Sequence, residues 1–213
     1  PISGITDDIN GTTRSTTTPD MGALEFTVEG SALSGSYTIG TGGDYDSLAA
    51  AVNALAIYSV GGPVTFNILA GTYDAPLELG VIQGVSATNT ITFQSADANA
   101  DSVIWENTAN NSQSNYVLRL NGTDHITLKH ITFKNQGSSY SRRIVLSGLT
   151  ESVTIDSSKF LGFETNSGYT NYASIYCSAA DAQNLKIKNN TFTDGGGYAI
   201  YLYSINSSSP PTG

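Results

Sequence analysis

An eleven-residue pattern occurs three times in the second half of this chain and constrains its fold more than any other feature. The copies read HITLKHITFKN from His125, SVTIDSSKFLG from Ser152 and NLKIKNNTFTD from Asn184. Each contains an apolar–polar–apolar triplet, then a phenylalanine five residues further on, and ends on a residue suited to a turn. The copies start 27 and then 32 residues apart. Short strands at this period leave no room for intervening helices and indicate a solenoid in which each turn packs on its neighbours.

A further short strand is predicted before each copy and once more near the end of the chain. These strands read VLRL from Val117, IVL from Ile144, SIYC from Ser174 and AIYLY from Ala199. Together with the eleven-residue copies they predict an all-β fold, a right-handed parallel β-helix, with regular coils over residues 106–204. The last of these strands opens another coil.

One α-helix is predicted upstream of the coils. After the glycine turn near residue 42, Asp46 is a candidate N-cap for a helix that runs to Ala56. The apolar stripe of this helix is formed by Leu48, Ala51, Val52 and Leu55. Because an open solenoid end exposes unpaired strand edges, we expect this helix to cap the first coil. The strands VTFNI from Val64, LEL from Leu77, ITF from Ile91 and VIW from Val103 complete a segment of capping helix and first coils over residues 36–105.

Composition excludes some classes of partner. The formal net charge of −9 argues against nucleic-acid binding, which needs basic surfaces. No apolar run is long enough to predict a membrane span. The single cysteine, Cys177, is predicted to be a small buried hydrophobe, and it rules out a disulfide within the chain. Few lysines, one methionine and many polar residues are typical of a secreted or cell-surface bacterial protein.

The two ends of the chain differ from the coils. Residues 1–30 contain a segment that resembles the close of β-helix units in Bacteroidetes-type secreted proteins. Its matching residues are Asp8, Gly11, Arg14, Pro19, Asp20, Gly22, Ala23, Glu25 and Phe26. This segment is either the tail of a preceding unit or a disordered linker. Residues 205–213 are polar and truncated, so we expect further units of the same polypeptide or a partner chain to cover the last coil.

The order of motifs resembles the pectin methylesterase branch of the pectate-lyase-like β-helix superfamily. The resemblance covers roughly residues 36–164 and is carried by GGDYDSLAAAVNAL, GPVTFNILAGTY, ITFQS, ITFKN and KFLGF. It implies a parallel β-helix. The esterase motifs are missing, however. Glu164 and Thr165 stand where the family has glutamine and catalytic aspartate, and Arg143 stands where it has an oxyanion-binding glutamine. Since the nucleophile motif has no counterpart before Gly213, no catalytic residue is predicted.

Other enzymatic and metal sites receive little support. Asp156 and Asp181 could form the paired carboxylates of an inverting hydrolase, but a surface position is expected for Asp156. The charged residues that come nearest to a calcium-dependent lyase site, with its acidic cluster and basic residue, are Glu151, Asp156, Glu164, Arg142, Arg143 and Lys159. The alternative is that these are solvated charges. His125 and His130 lack a third ligand for zinc, and His130 is expected at a corner between strands. The prediction is no cofactor, with calcium as the alternative.

Tyrosines are frequent, with 12 in the chain and six between residues 169 and 203. Alternation in AIYLY directs Ile200 and Leu202 to one face, and Tyr201 and Tyr203 to the other. Outward aromatic rings can stack on sugars, so Tyr198, Tyr201 and Tyr203 are predicted carbohydrate contacts. Alternatively, these rings stack on one another.

Two functional hypotheses follow. In the first, the chain is a non-catalytic β-helix segment of a large secreted or surface protein, an adhesin-like binding or spacer module that contacts polysaccharide or a cell-surface glycan. In the second, it is part of a carbohydrate-active esterase, lyase or hydrolase whose catalytic residues lie outside this sequence. A chain fragment of either kind is a third reading.

Overall fold

The three copies of the eleven-residue pattern form equivalent strands in successive coils of a parallel β-helix. The computed structural model describes residues 6–7, 31–108, 110–178 and 182–203. Contacts divide the chain into two compact units, Pro1–Ser31 and Ala32–Gly213, and every element below belongs to the second. The sequence interpretations of residues 8–30 and 205–213 therefore lie outside the described residues.

The described strands follow one another in groups of three. The first strand and the helix are β1 (Leu33–Ile39) and α1 (Leu48–Tyr58). Coil 1 contains β2 (Val60–Ile68), β3 (Gly71–Asp74) and β4 (Leu77–Leu79), and coil 2 contains β5 (Ile91–Ser95), β6 (Val103–Asn107) and β7 (Leu118–Asn121). Coil 3 contains β8 (Ile126–Lys129), β9 (Thr132–Asn135) and β10 (Ile144–Ser147), and is followed by the short β11 (Thr150–Glu151). Coil 4 contains β12 (Thr154–Asp156), β13 (Lys159–Leu161), a 3-10 turn (Thr170–Tyr172) and β14 (Ile175–Ser178), and is followed by β15 (Ala182–Gln183). Coil 5 contains β16 (Lys186–Lys188), β17 (Thr191–Thr193) and β18 (Ile200–Tyr203).

Equivalent strands of successive coils pair in parallel and build three long sheets. Sheet A has the order β4–β7–β10–β14–β18, sheet B the order β1–β2–β5–β8–β12–β16, and sheet C the order β3–β6–β9–β13–β17. A two-stranded ladder of β11 and β15 runs beside them. This topology confirms the predicted all-β parallel β-helix.

The core lies between the three sheets and is built of columns of equivalent inward side chains. Alternation along each strand places apolar residues inside, as in β5, where Ile91 and Phe93 are fully buried. An aromatic series crosses from sheet B into sheet C and follows it to the last described coil. Its members are Phe66, Phe93, Trp105, Phe133, Phe160 and Phe192, with successive ring centroids 4.7–5.8 Å apart. Aromatic contacts at this separation add stabilisation beyond the burial of area.

Two positions of the repeat adopt left-handed backbone conformations. The first residue of each copy has φ of 49°, 56° and 53° at His125, Ser152 and Asn184. The sixth has φ of 54° at His130, and the equivalent Ser157 and Asn189 also have positive φ. His130 thus turns the corner between β8 and β9, as predicted. These corners explain why the triplet and the phenylalanine strand of each copy belong to different sheets.

The helix begins one residue later than the sequence suggested. Asp46 was expected as the N-cap, but Ser47 holds this position and its Oγ accepts a hydrogen bond from the Ala50 amide at 3.2 Å. Both residue types cap well, so local sequence did not separate them. The buried face of α1 consists of Leu48, Ala51, Ala54 and Leu55. The helix packs against β1 and β4 and so covers the start of the solenoid.

The opposite end of the described solenoid is less well buried. In sheet A, Ile175 and Cys177 of coil 4 are fully buried. Their coil 5 equivalents, Ile200 and Leu202, are 39% and 38% exposed. The inward positions of sheet A are therefore still apolar in coil 5, but their side chains are partly exposed to solvent there.

Candidate functional site

The outer face of sheet A carries the predicted tyrosines. The register pairs Tyr176 of β14 with Tyr201 of β18, and Ser178 with Tyr203. Because Ile175, Cys177 and their partners point inward, Tyr176 lies on the outer face together with Tyr201 and Tyr203. The outward direction of Tyr201 and Tyr203 is the one that the alternation in AIYLY predicted. Tyr198 precedes β18 and joins them. We call these four residues, Tyr176, Tyr198, Tyr201 and Tyr203, the tyrosine cluster.

Tyr201 is the centre of the tyrosine cluster. Its ring is nearly parallel to that of Tyr176, with centroids 5.6 Å apart and an interplanar angle of 8°. Tyr198 meets it edge-on at 5.1 Å, and Tyr203 lies 6.4 Å away at 24°. Tyr203 is 64% exposed and Tyr198 is 38% exposed, whereas Tyr176 and Tyr201 are half-buried. The rings thus stack on one another and also present an open aromatic surface.

Arg142 joins the tyrosine cluster from the preceding coil. Its Cζ lies 3.4 Å from the ring centroid of Tyr176, a cation–π contact. Its Nε donates to the Thr170 carbonyl at 2.9 Å, and Nη2 donates to Thr170 Oγ1 at 3.3 Å. Burial lowers the pKa of Arg142, and Tyr176 opposes that shift. No carboxylate among the described residues forms an ion pair with this guanidinium.

A second arginine–tyrosine contact lies on the same face nearer to the helix. Arg119 of β7 has its Cζ 4.1 Å from the Tyr116 ring centroid. Unlike Arg142, Arg119 also forms an ion pair with Glu78 of β4, at 3.3 Å. The outer face of sheet A therefore combines aromatic rings with guanidinium groups, although the whole chain is acidic.

Arg143 does not lie on this face, and the expectation that it is a solvated charge is wrong. It is completely buried. Its Nη1 donates to the carbonyls of Ser141 and Tyr172, and Nη2 donates to Ser174 Oγ. Burial lowers the pKa of Arg143 to about 9, and Asp194 opposes the shift. The guanidinium is therefore still charged at neutral pH, held mainly by backbone carbonyls and hydroxyl groups.

Two glycines make room for the buried guanidinium. A Cβ built on Gly162 lies 2.5 Å from Nη1 of Arg143, and one built on Gly195 also overlaps Nη2. A side chain at either position is incompatible with the observed arginine. Nε of Arg143 has no hydrogen-bond partner within the described part of the chain.

Glu164 and Thr165, the two other residues that the sequence resemblance singled out, lie in the loop after β13. Glu164 is exposed, while Thr165 is half-buried and its Oγ1 accepts from the Ser167 amide at 3.2 Å. A fully buried Arg143 and an exposed Glu164 do not share one solvent-accessible surface. These three positions therefore form no evident acid–base pair.

Four of the six charged residues compared with a calcium site, Arg142, Arg143, Asp156 and Lys159, have other partners. Lys159 contacts Asp101 at 2.6 Å, and Asp156 contacts Lys188 at 3.3 Å. Asn189, Ser157 and Lys188 lower the pKa of Asp156, the Asn189 amide most strongly. Within the described ranges, no group of three or more His, Cys, Asp and Glu side chains could hold a metal ion. Asp181, the other candidate carboxylate, lies outside the described residues.

Two clefts lie away from the tyrosine cluster. One, of about 540 Å³, lies beside the start of α1 and β3, and the other, of about 350 Å³, lies between the loops after β6 and β9. Neither is lined by a tyrosine of the cluster.

In the parts of the chain that the structure describes, no helix is long and apolar enough to cross a membrane.

The sequence predicted carbohydrate contacts at Tyr198, Tyr201 and Tyr203, but it assigned no role to Tyr176 and placed Arg142 only in the charged set compared with a calcium-dependent lyase site. The signal for Tyr176 is its place in SIYC, which aligns with AIYLY when the coils are superimposed. No local pattern marks Arg142, because its contacts to Thr170 and Tyr176 depend on how the loops between sheets C and A fold.

Comparison with known proteins gives limited similarity. No protein-family model matches the chain, and no curated protein matches it significantly. Among solved structures, the Aspergillus niger pectin methylesterase in penultimately deglycosylated form is 12% identical, with a TM-score of 0.37 and coverage of 84% of this chain and 88% of that chain. The deglycosylated form of the same enzyme is 14% identical, with a TM-score of 0.35 and the same coverage of 84% and 88%. At these values the fold assignment rests on the strand pairing described above.

Proposed function

We propose that this β-helix is a non-catalytic module of a secreted or cell-surface protein that binds a glycan through the tyrosine cluster. The observation that carries the proposal is the open aromatic surface around Tyr203, which is 64% exposed. A tyrosine ring offers a flat apolar face to the C–H groups of a pyranose, and its hydroxyl can hydrogen-bond with those of the sugar. Contiguous exposed aromatic groups on a soluble protein commonly mark an interaction site.

The solenoid architecture suits a binding or spacer role. Each coil contacts only its neighbours, so a rod can be lengthened without a new type of core. The absence of catalysis is proposed because Glu164 and Thr165 replace the glutamine and aspartate of the esterase motif. The burial of Arg143 also supports a non-catalytic role, since its guanidinium is enclosed by protein and is not open to a substrate.

A glycan array with the purified chain tests the proposal. We expect saturable binding that is lost in Tyr203→Ala and kept in Tyr169→Ala, a control tyrosine that is 75% exposed outside the cluster. Silence across the array, or equal loss in both variants, contradicts glycan binding by the cluster. Release of methanol from methylated pectin by the wild-type chain contradicts the non-catalytic part.

A further inference from the structure

The four rings of the tyrosine cluster differ in how much of each is free. Tyr176 lies between Arg142 of the preceding coil, at 3.4 Å, and Tyr201 of the following coil, at 5.6 Å. Both of its faces are therefore occupied. Tyr201 has Tyr176 against one face and further contacts with Tyr198 and Tyr203. Only Tyr203 and, to a lesser degree, Tyr198 retain a substantial free surface.

We infer that Tyr203 and Tyr198 contact the sugar and that Arg142 is a positioning residue, acting on them through Tyr176 and Tyr201. This inference rests on the proposed glycan binding. It assigns a role to Arg142, which lies two rings away from the contact surface. It also separates Tyr201 from Tyr203, although the sequence pattern treats them alike.

Arg142 is well placed to act in this way because its own position is fixed from several sides. Its amide donates to Asn115 Oδ1 at 2.9 Å, and its carbonyl accepts from Asn135 Nδ2 at 3.0 Å. The planar guanidinium is held against Thr170 by two hydrogen bonds. Side chains fixed by hydrogen bonds lose little further freedom on binding, which favours affinity.

Through the stacked rings of Tyr176 and Tyr201, the fixed position of Arg142 also restricts the exposed rings of Tyr198 and Tyr203. With Arg142 on one face, the Tyr176 ring cannot tilt away from Tyr201, whose plane differs from it by only 8°. Tyr201 in turn limits the rotamers available to Tyr198 at 5.1 Å and Tyr203 at 6.4 Å. Loss of Arg142 should therefore give Tyr198 and Tyr203 more rotamer freedom, without removing any atom that contacts the sugar.

The test uses the full chain labelled with 13C at the tyrosine ring ε positions, with each signal assigned by a Tyr→Phe variant. Cellohexaose and xylohexaose are the probes, together with the strongest ligand from the glycan array. Both oligosaccharides present uninterrupted C–H faces to an aromatic ring. We expect the largest chemical-shift changes at Tyr203 and Tyr198, and smaller ones at Tyr176.

Affinity measurements on arginine variants test the positioning role. Arg142→Ala should weaken binding about fivefold, corresponding to the loss of one cation–π contact. Arg142→Lys should be intermediate, because it keeps a cation but loses the planar stack and the fork to Thr170. Arg119→Ala is the matched control: this arginine of sheet A also stacks on a tyrosine, Tyr116 before β7, at 4.1 Å and outside the cluster, and its loss should leave affinity unchanged. Circular dichroism spectra establish that each variant is folded.

The outcomes separate the two proposals. If no glycan binds on the array, the proposed function fails and this inference fails with it. If a glycan binds but Tyr176 shifts as much as Tyr203, or Arg142→Ala binds as tightly as wild type, the proposed function stands and the inference is overturned.

Discussion

The guanidinium of Arg143 occupies the space that a side chain at Gly162, in the next coil, would need: a Cβ built on Gly162 lies 2.5 Å from Nη1 of the arginine. Gly162 directly follows β13 and registers with Asn135 at the end of β9, since Leu161 pairs with Lys134. Where coils 2 and 3 carry the side chains of Asn107 and Asn135, coil 4 carries only a glycine, and the guanidinium of Arg143 occupies the space beside it.

Gly162→Ala should therefore destabilise the protein. The added methyl group must displace a fully buried guanidinium and also lies 2.8 Å from the Gly195 Cα, and such overpacking typically costs about 1–3 kcal/mol. Urea denaturation gives the free energy of unfolding. Gly168→Ala is the control, because a Cβ at Gly168 has nothing within 4 Å. Equal stability of both variants contradicts the tight packing of Arg143.

The same comparison predicts a compensating pair of substitutions. Asn107 Nδ2 donates to the carbonyls of Ser114 and Tyr116, and Asn135 Nδ2 donates to that of Arg142, so each amide ties down the loop that follows it. In coil 4, Arg143 Nη1 does this for the Tyr172 carbonyl at 3.1 Å.

Gly162→Asn alone clashes with Arg143 and brings its Cβ to 2.8 Å from the Gly195 Cα, and Arg143→Val alone leaves carbonyls without donors. The double variant removes the clash with the guanidinium and places an asparagine and a valine at the positions that Asn107 and Val117 hold in coil 2, while the contact with the Gly195 backbone is common to Gly162→Asn and the double variant. We expect the double variant to be more stable than the sum of the single effects, with a coupling of about 1–3 kcal/mol. Additive effects in urea denaturation would show that the arginine does not take the place of the asparagine.

The buried charge predicts a pH dependence of stability. Burial lowers the pKa of Arg143 to about 9 in the folded protein, below its value in the unfolded chain. Below that pH both states carry the charge, so its destabilising effect is constant. Above it the folded state releases the proton while the unfolded state keeps it, so stability rises with pH.

The measured quantity is the free energy of unfolding of wild type minus that of Arg143→Met. We expect this difference to be flat between about pH 6 and 8 and to shift in favour of wild type as the pH passes 9. The subtraction cancels the contribution of surface lysines and tyrosines to the pH dependence, because these residues are the same in both proteins. A difference that stays flat to high pH contradicts the shifted pKa.

The partly exposed end of the inward columns predicts an association. Ile200 and Leu202 are 39% and 38% exposed, and we propose that another coil, from the same polypeptide or a partner chain, packs against them. Burying a fully exposed side chain of this size is worth about 1.5–3 kcal/mol, so covering the remaining 39% and 38% should contribute roughly 0.6–1.2 kcal/mol each.

The isolated 213-residue chain should then self-associate with rising concentration in sedimentation velocity, and Leu202→Lys should reduce that association. Leu149→Lys is the control, since Leu149 is 68% exposed away from the last coil. A wild-type chain that stays monomeric at high concentration argues against a covering coil.

The strands and the inward residues of this fold could be predicted because they follow local alternation. Ile155 and Phe160 are marked by the triplet and the phenylalanine of their own copy, and both are fully buried. The helix was predicted for a similar reason, although Ser47 rather than Asp46 caps it. Its apolar spacing is visible within a few residues of sequence.

The burial of Arg143 could not be predicted in this way. It depends on glycines at positions 162 and 195, which lie in later coils, and on the absence of a Cβ at each. The candidate site stands between these cases. Alternation gave the outward direction of Tyr201 and Tyr203, but the support from Arg142 depends on the fold of the Thr170 loop.

The most direct test of glycan binding by the tyrosine cluster is the array comparison of wild type, Tyr203→Ala and Tyr169→Ala. If the cluster binds a glycan, wild type and Tyr169→Ala should bind it saturably, and Tyr203→Ala should not bind it. Binding that survives in Tyr203→Ala, or no binding by any of the three proteins, contradicts a glycan-binding role for the tyrosine cluster.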